Sequence, residues 1–195
     1  MPHLLIVIAS TRPGRVGLPV GQWFERLSRE HGGFDIEVAD LKELNLPMMD
    51  EPHHPRFAQY TQPHTKAWSR MVDASDAVVL VMPEYNHGIT APLKNALDYL
   101  YQEWNYKPVG LVSYGGPSGG MRAAQMVKQV ATALKMMPLP DSVAIPFVTQ
   151  YLRDGVFDPP DAIVQAAHAM LDELQRWTEA LEPLRRAHRQ ARVGS

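Results

Sequence analysis

The sequence predicts an α/β fold in which helices cover both faces of a doubly wound, parallel sheet. Short apolar runs without alternation recur along the chain, and such runs are typical of strands buried on both faces. Amphipathic helical patterns separate these runs, so that strands and helices alternate along the chain. A length of 195 residues is enough for a single domain with its own hydrophobic core.

Five segments are predicted to be strands. Four of them are continuous apolar runs bounded by turn residues, namely 4–9, 77–82, 109–113 and 143–145. The fifth, 34–39, alternates apolar with acidic residues, which indicates a half-exposed strand at an edge of the sheet.

Helical periodicity marks five further segments, at about 17–31, 60–75, 91–104, 120–135 and 160–181. The apolar face of the third segment is wide. The residues predicted to face inward on the fourth are Met121, Ala124, Val127, Ala131 and Leu134.

The C-terminal part of the chain is predicted to differ from the rest. Pro183 is expected to end the last helix, because a proline inside a helix removes a backbone hydrogen bond and clashes with the preceding turn. Residues 184–195 hold four arginines and are predicted to be a basic, disordered tail. Residues 1–183 then form the single domain.

Composition excludes several classes of function. Without cysteine, the chain has no disulfide, thiolate metal site, iron–sulfur cluster or thiol nucleophile. A formal net charge of −2 provides no overall field for nucleic acid or an anionic membrane. No apolar run reaches the roughly 20 residues of a membrane span, and the first run has the pattern of a strand, not of an export signal. We therefore expect a cytoplasmic protein.

A segment rich in proline and histidine, 42–59, is predicted to be a surface loop. Its His53 and His54, and His64 beyond it, match no metal-binding spacing. The expectation is a solvated loop without a metal site.

The loops that leave the strands are the candidate binding site, because ligands of open α/β sheets bind beyond the carboxyl ends of the strands. The first loop combines Ser10, Thr11, Arg12 and Arg15 with the amides of a helix N-terminus. Together these groups form an anion site suited to a phosphate. The loop matches neither the nucleoside-triphosphate nor the dinucleotide fingerprint.

The other two loops are suited to a planar ring. In the loop 83–92, the amides of 84–87 are expected to face outward, Tyr85 and His87 to flank a ring, and Asn86 to bind the edge of a heterocycle. The loop 113–120 contains four glycines, which permit close approach of the backbone to a ligand. A phosphate pocket beside a ring-sized slot with amide donors fits a mononucleotide such as FMN better than a dinucleotide.

Three groups of motifs stand out in this arrangement. They are Ser10-Thr11-Arg12-Pro13-Gly14-Arg15, then Pro83-Glu84-Tyr85-Asn86 with Leu93-Lys94-Asn95-Ala96-Leu97-Asp98, and Lys107-Pro108 with Ser113-Tyr114-Gly115-Gly116. This set resembles the NADPH-dependent FMN reductase family, the flavodoxin-like group that includes quinone and azo-dye reductases. The resemblance extends over about 4–145.

The resemblance implies a flavodoxin-like, five-stranded parallel sheet of order 2-1-3-4-5. It implies an enzyme that passes a hydride from NADPH or NADH through bound FMN to a quinone, flavin or azo compound. Since the flavin carries the chemistry, no catalytic side chain or metal is required. A homodimer or a dimer of dimers is implied, with the wide apolar face of helix 91–104 as the contact.

The resemblance also assigns residues to FMN. The phosphate would be held by Ser10, Arg12 and the segment of Arg15, Val16, Gly17 and Leu18. The isoalloxazine ring would be lined by Pro83, Glu84, Tyr85 and Asn86. The pyrimidine side of the ring would lie by Ser113, Gly115 and Gly116.

The chain departs from the family pattern at two positions. Ala9 precedes Ser10 where many members have a glycine, and Arg15 stands where many have a serine just before the helix. The second departure places a guanidinium group in the loop that is expected to bind the phosphate.

Two alternative functions are open at the level of the sequence. Residues 116–120 match the G-x-S-x-G motif of serine hydrolases, with Ser118 as nucleophile, Asp141 or Asp161 as acid and His168 as base. Against this, His168 falls within the apolar stripe of the last helix. A flavin-binding electron carrier or regulatory protein has the same fold, and steady NAD(P)H oxidation with a quinone distinguishes the enzyme from it.

Overall fold

The computed structural model describes residues 1–193, which form a parallel sheet of order β2-β1-β3-β4-β5. The strands of this sheet are β1 (His3–Ile8), β2 (Asp35–Asp40), β3 (Ala77–Pro83), β4 (Pro108–Tyr114) and β5 (Met137–Ile145). A short antiparallel hairpin of β6 (Leu152–Arg153) and β7 (Val156–Phe157) follows in the chain. The predicted fold class and strand order are confirmed.

Helices connect the strands on both faces of the sheet. They are α1 (Gly17–His31), α2 (Leu41–Leu44), α3 (Pro63–Ala74), α4 (Ala91–Asp98), α5 (Met121–Ala133) and α6 (Asp161–Val193). None of these helices, within the described part of the chain, is long and apolar enough to cross a membrane.

Side chains alternate along the central strands and so form one core on each face of the sheet. Phe24 of α1 and Met170 of α6 belong to the core on one face, and Trp68 of α3 and Val127 of α5 to the core on the other. Strands β3 and β4 are buried along their whole length, as their apolar runs predict. Strand β2 is half-exposed at the edge, as its alternation predicts.

The other edge strand, β5, is longer than the sequence predicts. It begins at Met137 and includes Pro138 and Pro140, which do not fit a central strand. The register with β4 shifts between Val109 and Leu111, opposite this region. An edge strand tolerates proline because one side of its backbone has no neighbouring strand to bond.

The predicted helix 91–104 ends as an α-helix at Asp98, and the chain continues as a turn and a short 3₁₀ helix, Gln102–Trp104. The indole N–H of Trp104 donates to the carbonyl of Leu97 at 3.1 Å and so satisfies a carbonyl of the last helical turn. In the fourth predicted helix, Met121 does not face inward. It is the first residue of α5 and is 56% exposed.

The wide apolar face of the segment 91–104 lies inside the chain itself. Leu93, Leu97, Leu100 and Trp104 are fully buried in the core that also contains α3 and α5. The width of this face therefore reflects packing within one chain and is no indication of a partner molecule.

The predicted surface loop 42–59 is fixed by local contacts. Its first residues belong to α2, and the carboxylate of Glu51 accepts hydrogen bonds from the amides of Thr61 (2.7 Å) and Gln62 (2.9 Å). Burial opposes ionisation of Glu51, but these hydrogen bonds outweigh it and lower the pKa to about 2. His64 Nε2 lies 2.9 Å from Asp50 Oδ1, so the imidazole ring contacts the loop.

The prediction of a disordered tail after Pro183 is wrong as far as the structure describes the chain. Helix α6 continues through Pro183 to Val193, while residues 194 and 195 lie outside the described residues. The proline removes one helical hydrogen bond. Contacts of the following arginines with the amino end of the sheet offset this loss.

These arginines bind the turn between α3 and β3. Arg189 pairs with Asp76 at 3.2 Å and donates to the carbonyl of Asp73 at 2.8 Å. Arg192 pairs with the Asp73 carboxylate at 2.5 Å. Arg185 is buried, with its Nε 3.7 Å from Asp76. The second half of α6 is thus attached to the domain by charged side chains.

Replacing Asp76 is expected to destabilise the fold. Asp76→Ala leaves the buried guanidinium of Arg185 without its carboxylate, which should lower the free energy of unfolding by about 2–4 kcal/mol. Urea denaturation measures the change. The control is Asp98→Ala, which breaks the exposed Lys94–Asp98 pair and should cost below about 0.5 kcal/mol. Equal effects of the two variants would contradict the role given to Asp76.

Candidate functional site

A cleft of about 280 Å³ lies at the carboxyl end of the sheet, where the loops after β1, β3, β4 and β5 converge. Its lining residues are Ser10, Arg12, Arg15, Val16, Pro83, Glu84, Tyr85, Tyr114, Gly115, Gly116, Phe147, Val148 and Thr149. The predicted residues that do not line it directly are Gly17, Leu18, Asn86 and Ser113. The cleft is at the point where strand order reverses, which is the usual ligand position in this architecture.

Two buried hydroxyl groups meet at the N-terminus of α1. Ser10 Oγ and the Tyr114 hydroxyl lie close to each other, and neither has another hydrogen-bond partner among residues 1–193. Both lie against Gly17, since a Cβ atom there would be 2.1 Å from Ser10 Oγ and 2.2 Å from the Tyr114 oxygen. Burial raises the pKa of Tyr114, which keeps the hydroxyl protonated as a donor. Buried hydroxyls are normally hydrogen-bonded, so an anion held at this point is a partner that fits them.

Backbone amides add donors at the same point. Helix α1 begins after Val16 without a side-chain cap, and within the described chain the amides of Gly17 and Leu18 donate to no protein acceptor. Arg12, on the same loop, is exposed. Free amides at a helix N-terminus, hydroxyls and a guanidinium group are the donors that a phosphate monoester requires.

Arg15 is held in place by Asp40, at the end of β2. One guanidinium nitrogen donates to the Ser10 carbonyl and to the Asp40 carboxylate, both at 2.5 Å, and a second nitrogen also bonds Asp40. Hydrogen bonding to Asp40 is the main cause that raises the pKa of Arg15. The side chain is only 6% exposed. Arg15 therefore joins the first loop to β2, a role that the sequence did not predict.

The loop after β3 is a tight turn. The amides of Tyr85 and Gly88 bond each other's carbonyls at 3.1 and 2.9 Å, and Asn86 and His87 between them have φ of 50° and 67°. These angles define a type I′ turn. Of the four amides predicted to face outward, that of Glu84 donates to the carbonyl of Tyr114 and that of Tyr85 to the carbonyl of Gly88, so the prediction is wrong for these two. Within the described residues, the amides of Asn86 and His87 donate to no protein acceptor.

The side chain of Glu84 links this turn to the next loop. Its carboxylate accepts from Ser118 Oγ at 3.0 Å and from the amides of Arg122 (3.0 Å) and Ala123 (3.3 Å). Burial opposes the ionisation of Glu84, but the hydrogen bonds from Ser118 and Arg122 lower its pKa below the usual value. Glu84 thus caps α5, whose N-cap residue, Gly120, has no side chain to do so.

Two residues determine the conformation of the loop after β4, namely Ser113 at its start and Gly120 at its end. Ser113 is buried, and its hydroxyl donates to the carbonyl of Gly119 at 2.9 Å. Gly120 has a φ of 84°, and a Cβ atom there would lie 2.7 Å from the amide nitrogen of Tyr114. This conformation brings Gly115 and Gly116 to the wall of the cleft.

Sequence reasoning missed four lining residues, Tyr114, Phe147, Val148 and Thr149. Tyr114 ends the buried run of β4, and a tyrosine at the end of a buried strand was an available signal. Residues 147–149 carry no motif. They reach the cleft because the amides of Phe147 and Val148 bond the carbonyls of Gly116 and Gly115.

The serine hydrolase alternative is wrong. Ser118 donates to Glu84, whereas the ring of His168 lies 6.4 Å from that of His31. His31 is the last residue of α1, which begins at the carboxyl end of the sheet and runs toward the amino end. The serine and the histidine are therefore at opposite ends of the sheet.

Comparison with known proteins agrees with the geometry of the cleft. A model of the NADPH-dependent FMN reductase family matches residues 2–150. The chain belongs to this family. The match includes the loops after β1, β3, β4 and β5 that form the cleft. The predictions of an NAD(P)H-dependent oxidoreductase and of FMN as its cofactor are confirmed.

Relatives of known name support this membership. An NAD(P)H-dependent FMN reductase of Schizosaccharomyces pombe is 42% identical over 160 residues, which cover 81% of this chain and 80% of the relative. An NADPH:quinone oxidoreductase of Arabidopsis thaliana is 31% identical over 107 residues, or 53% of each chain. The solved structure of the flavoenzyme FerB, an NAD(P)H:(acceptor) oxidoreductase of Paracoccus denitrificans, has the same fold. It superposes with a TM-score of 0.74 at 19% identity, covering 92% of this chain and 98% of FerB.

Gly17→Ala is expected to weaken FMN binding at least about tenfold, because the new methyl group displaces the Ser10 and Tyr114 hydroxyls. Fluorescence titration of the apoprotein with FMN measures the affinity. The matched control is Gly21→Ala, one turn along α1, where the new Cβ would meet Ile8 Cδ1 at 2.5 Å. Both variants should lose stability, and equal FMN affinities would contradict the assignment.

Proposed function

We propose that this chain uses bound FMN to pass a hydride from NAD(P)H to a quinone, a free flavin or a similar small acceptor. The observation that carries the proposal is the pair of buried hydroxyls of Ser10 and Tyr114 around Gly17, which fits a phosphate monoester. FMN supplies the hydride transfer when it is bound. The residues of the chain bind, orient and shield it.

The phosphate assignment divides the first loop into two roles. Ser10, Arg12 and the amides of 16–18 would hold the phosphate. Arg15 would hold the loop in place and not contact the phosphate itself, because its guanidinium group already bonds Asp40 and the backbone of the loop. This division gives a structural role to the arginine that departs from the family pattern at this position.

The ring assignment follows the two remaining loops. Tyr85 lines the cleft and would border the isoalloxazine ring on one side, with Asn86 next to it in the type I′ turn. Gly115 and Gly116 would let its polar edge approach the backbone on the other. The residues that hold these loops in place are Pro83, Glu84 and Ser113.

The acceptor is proposed to be a planar, conjugated ring. Tyr85 is 42% exposed and Phe147 is 48% exposed at the wall of the cleft, where they offer faces for stacking. The name of the Arabidopsis relative, a quinone oxidoreductase, supports a quinone.

The test is an absorption spectrum of the FMN-loaded protein before and after NADPH is added without oxygen. Bleaching of the flavin bands, followed by steady NADPH oxidation when a benzoquinone is added, is the expected result. Azo dyes and free FMN are compared under the same conditions. Bound flavin without steady turnover would indicate a carrier, and failure to bind FMN would overturn the cofactor assignments.

Arg12→Ala is expected to raise the FMN dissociation constant about tenfold, because it removes a charge-assisted contact to the phosphate at an exposed position. The control is Arg70→Ala, which removes an exposed arginine from α3, outside the cleft. Flavin titration compares both variants with the parent protein. Unchanged affinity in Arg12→Ala would overturn the role of this residue.

The implied homodimer or dimer of dimers is part of the proposal. Its contact would not use Leu93, Leu97, Leu100 and Trp104, because these side chains are buried within the chain. Sedimentation velocity tests the assembly against the 21.9 kDa mass of one chain.

A further inference from the structure

A second pocket, of about 500 Å³, also borders the first loop and shares no lining residue with the cleft described above. Thr11 lines this pocket, while its neighbours Ser10 and Arg12 line the cleft. The remaining walls are α2, the segment after it as far as Met48, and the part of α4 from Ala91 to Asn95. A single loop therefore separates two openings at the carboxyl end of the sheet.

Three polar side chains on the pocket wall have no partner within the described residues. They are the Thr11 hydroxyl, the Lys42 ammonium group and the Asn45 amide. Lys42 is the one charged residue among those that line the pocket. Of the nearby carboxylates, that of Asp40 is bonded to Arg15, and Glu43 is exposed on α2 outside the wall. The one charged group on the pocket wall is thus an ammonium group that pairs with no carboxylate of the described residues, which suits an anionic ligand.

The rest of the wall is apolar and held in place. Leu46, Met48 and Pro92 contribute to it, and Met48 is 74% exposed. Asn95, from the motif on α4, fixes the loop that carries Met48. Its side-chain oxygen accepts from the amide of Met49 at 3.0 Å, and its nitrogen donates to the carbonyl of Pro47 at 2.7 Å. A flexible, polarisable methionine on an anchored loop suits the face of a flat base.

We propose that this pocket binds the adenosine end of NADPH and that Lys42 recognises its 2′-phosphate. The inference rests on the proposed function, which places the nicotinamide end in the flavin cleft. Because Thr11 lies between Ser10 and Arg12, consecutive residues contact both openings, and one extended dinucleotide can occupy both. Lys42 acts as a point charge on the phosphate, and Thr11 and Asn45 supply hydrogen bonds. Lys42 then determines the preference for NADPH over NADH.

The kinetic test uses the fact that NADPH and NADH differ only in the 2′-phosphate. In Lys42→Gln, the ratio of kcat/KM for NADPH to kcat/KM for NADH should fall about tenfold, and further in Lys42→Glu. The control is Lys66→Gln, which removes an exposed lysine from α3 and should keep the parent ratio. A parent-like ratio in both Lys42 variants would overturn the assignment, even if both rates fall.

A binding test separates this inference from the proposed function. Calorimetry on the FMN-loaded protein compares 2′,5′-ADP with 5′-ADP, which lacks the 2′-phosphate. Lys42→Gln should weaken 2′,5′-ADP about tenfold more than it weakens 5′-ADP. Equal weakening of the two probes would overturn the role of Lys42. Failure of the parent protein to oxidise NADPH while this difference persists would overturn the proposed function alone.

Discussion

The ion pair between Arg15 and Asp40 fixes the part of the chain on which both pockets depend. Arg15 bonds the carbonyl of Ser10 and so orients the first loop, while Asp40 accepts from the amide of Lys42 and begins α2. The two side chains are 6% and 15% exposed. Because removal of one partner of a largely buried pair leaves a charge without compensation, the loop and α2 keep one relative position.

Glu84 has a corresponding role on the other side of the cleft. It joins the turn after β3 to the N-terminus of α5, and the backbone of Gly115 and Gly116 in turn bonds the segment after β5. The walls of the cleft are therefore connected by hydrogen bonds and not only adjacent. Such support lets a site hold its geometry before a ligand arrives. The left-handed conformation of Gly120 completes this arrangement.

The amino end of the sheet contains a separate set of charges with a structural role. Lys107 belongs to one of the motifs on which the family resemblance rests. It is fully buried and donates to the carbonyl of Val72 and to Ser75 Oγ. Its burial lowers the pKa to about 7. With Arg185 and Arg189 it attaches α3, β4 and α6 to one another, at the end of the sheet opposite the cleft. A motif shared with a family therefore includes residues that stabilise the fold as well as residues that line the site.

The sequence by itself determined the fold class, the order of the five sheet strands and of the main helices between them, and three of the four loops that form the cleft. These features follow from local periodicity and from the burial of parallel strands, both of which are visible in single segments. Only the tertiary structure decided that Arg15 pairs with Asp40, that Phe147 reaches the cleft and that α6 continues past Pro183. Each of these outcomes depends on partners from distant parts of the chain, and local patterns contain no information about which distant groups will meet.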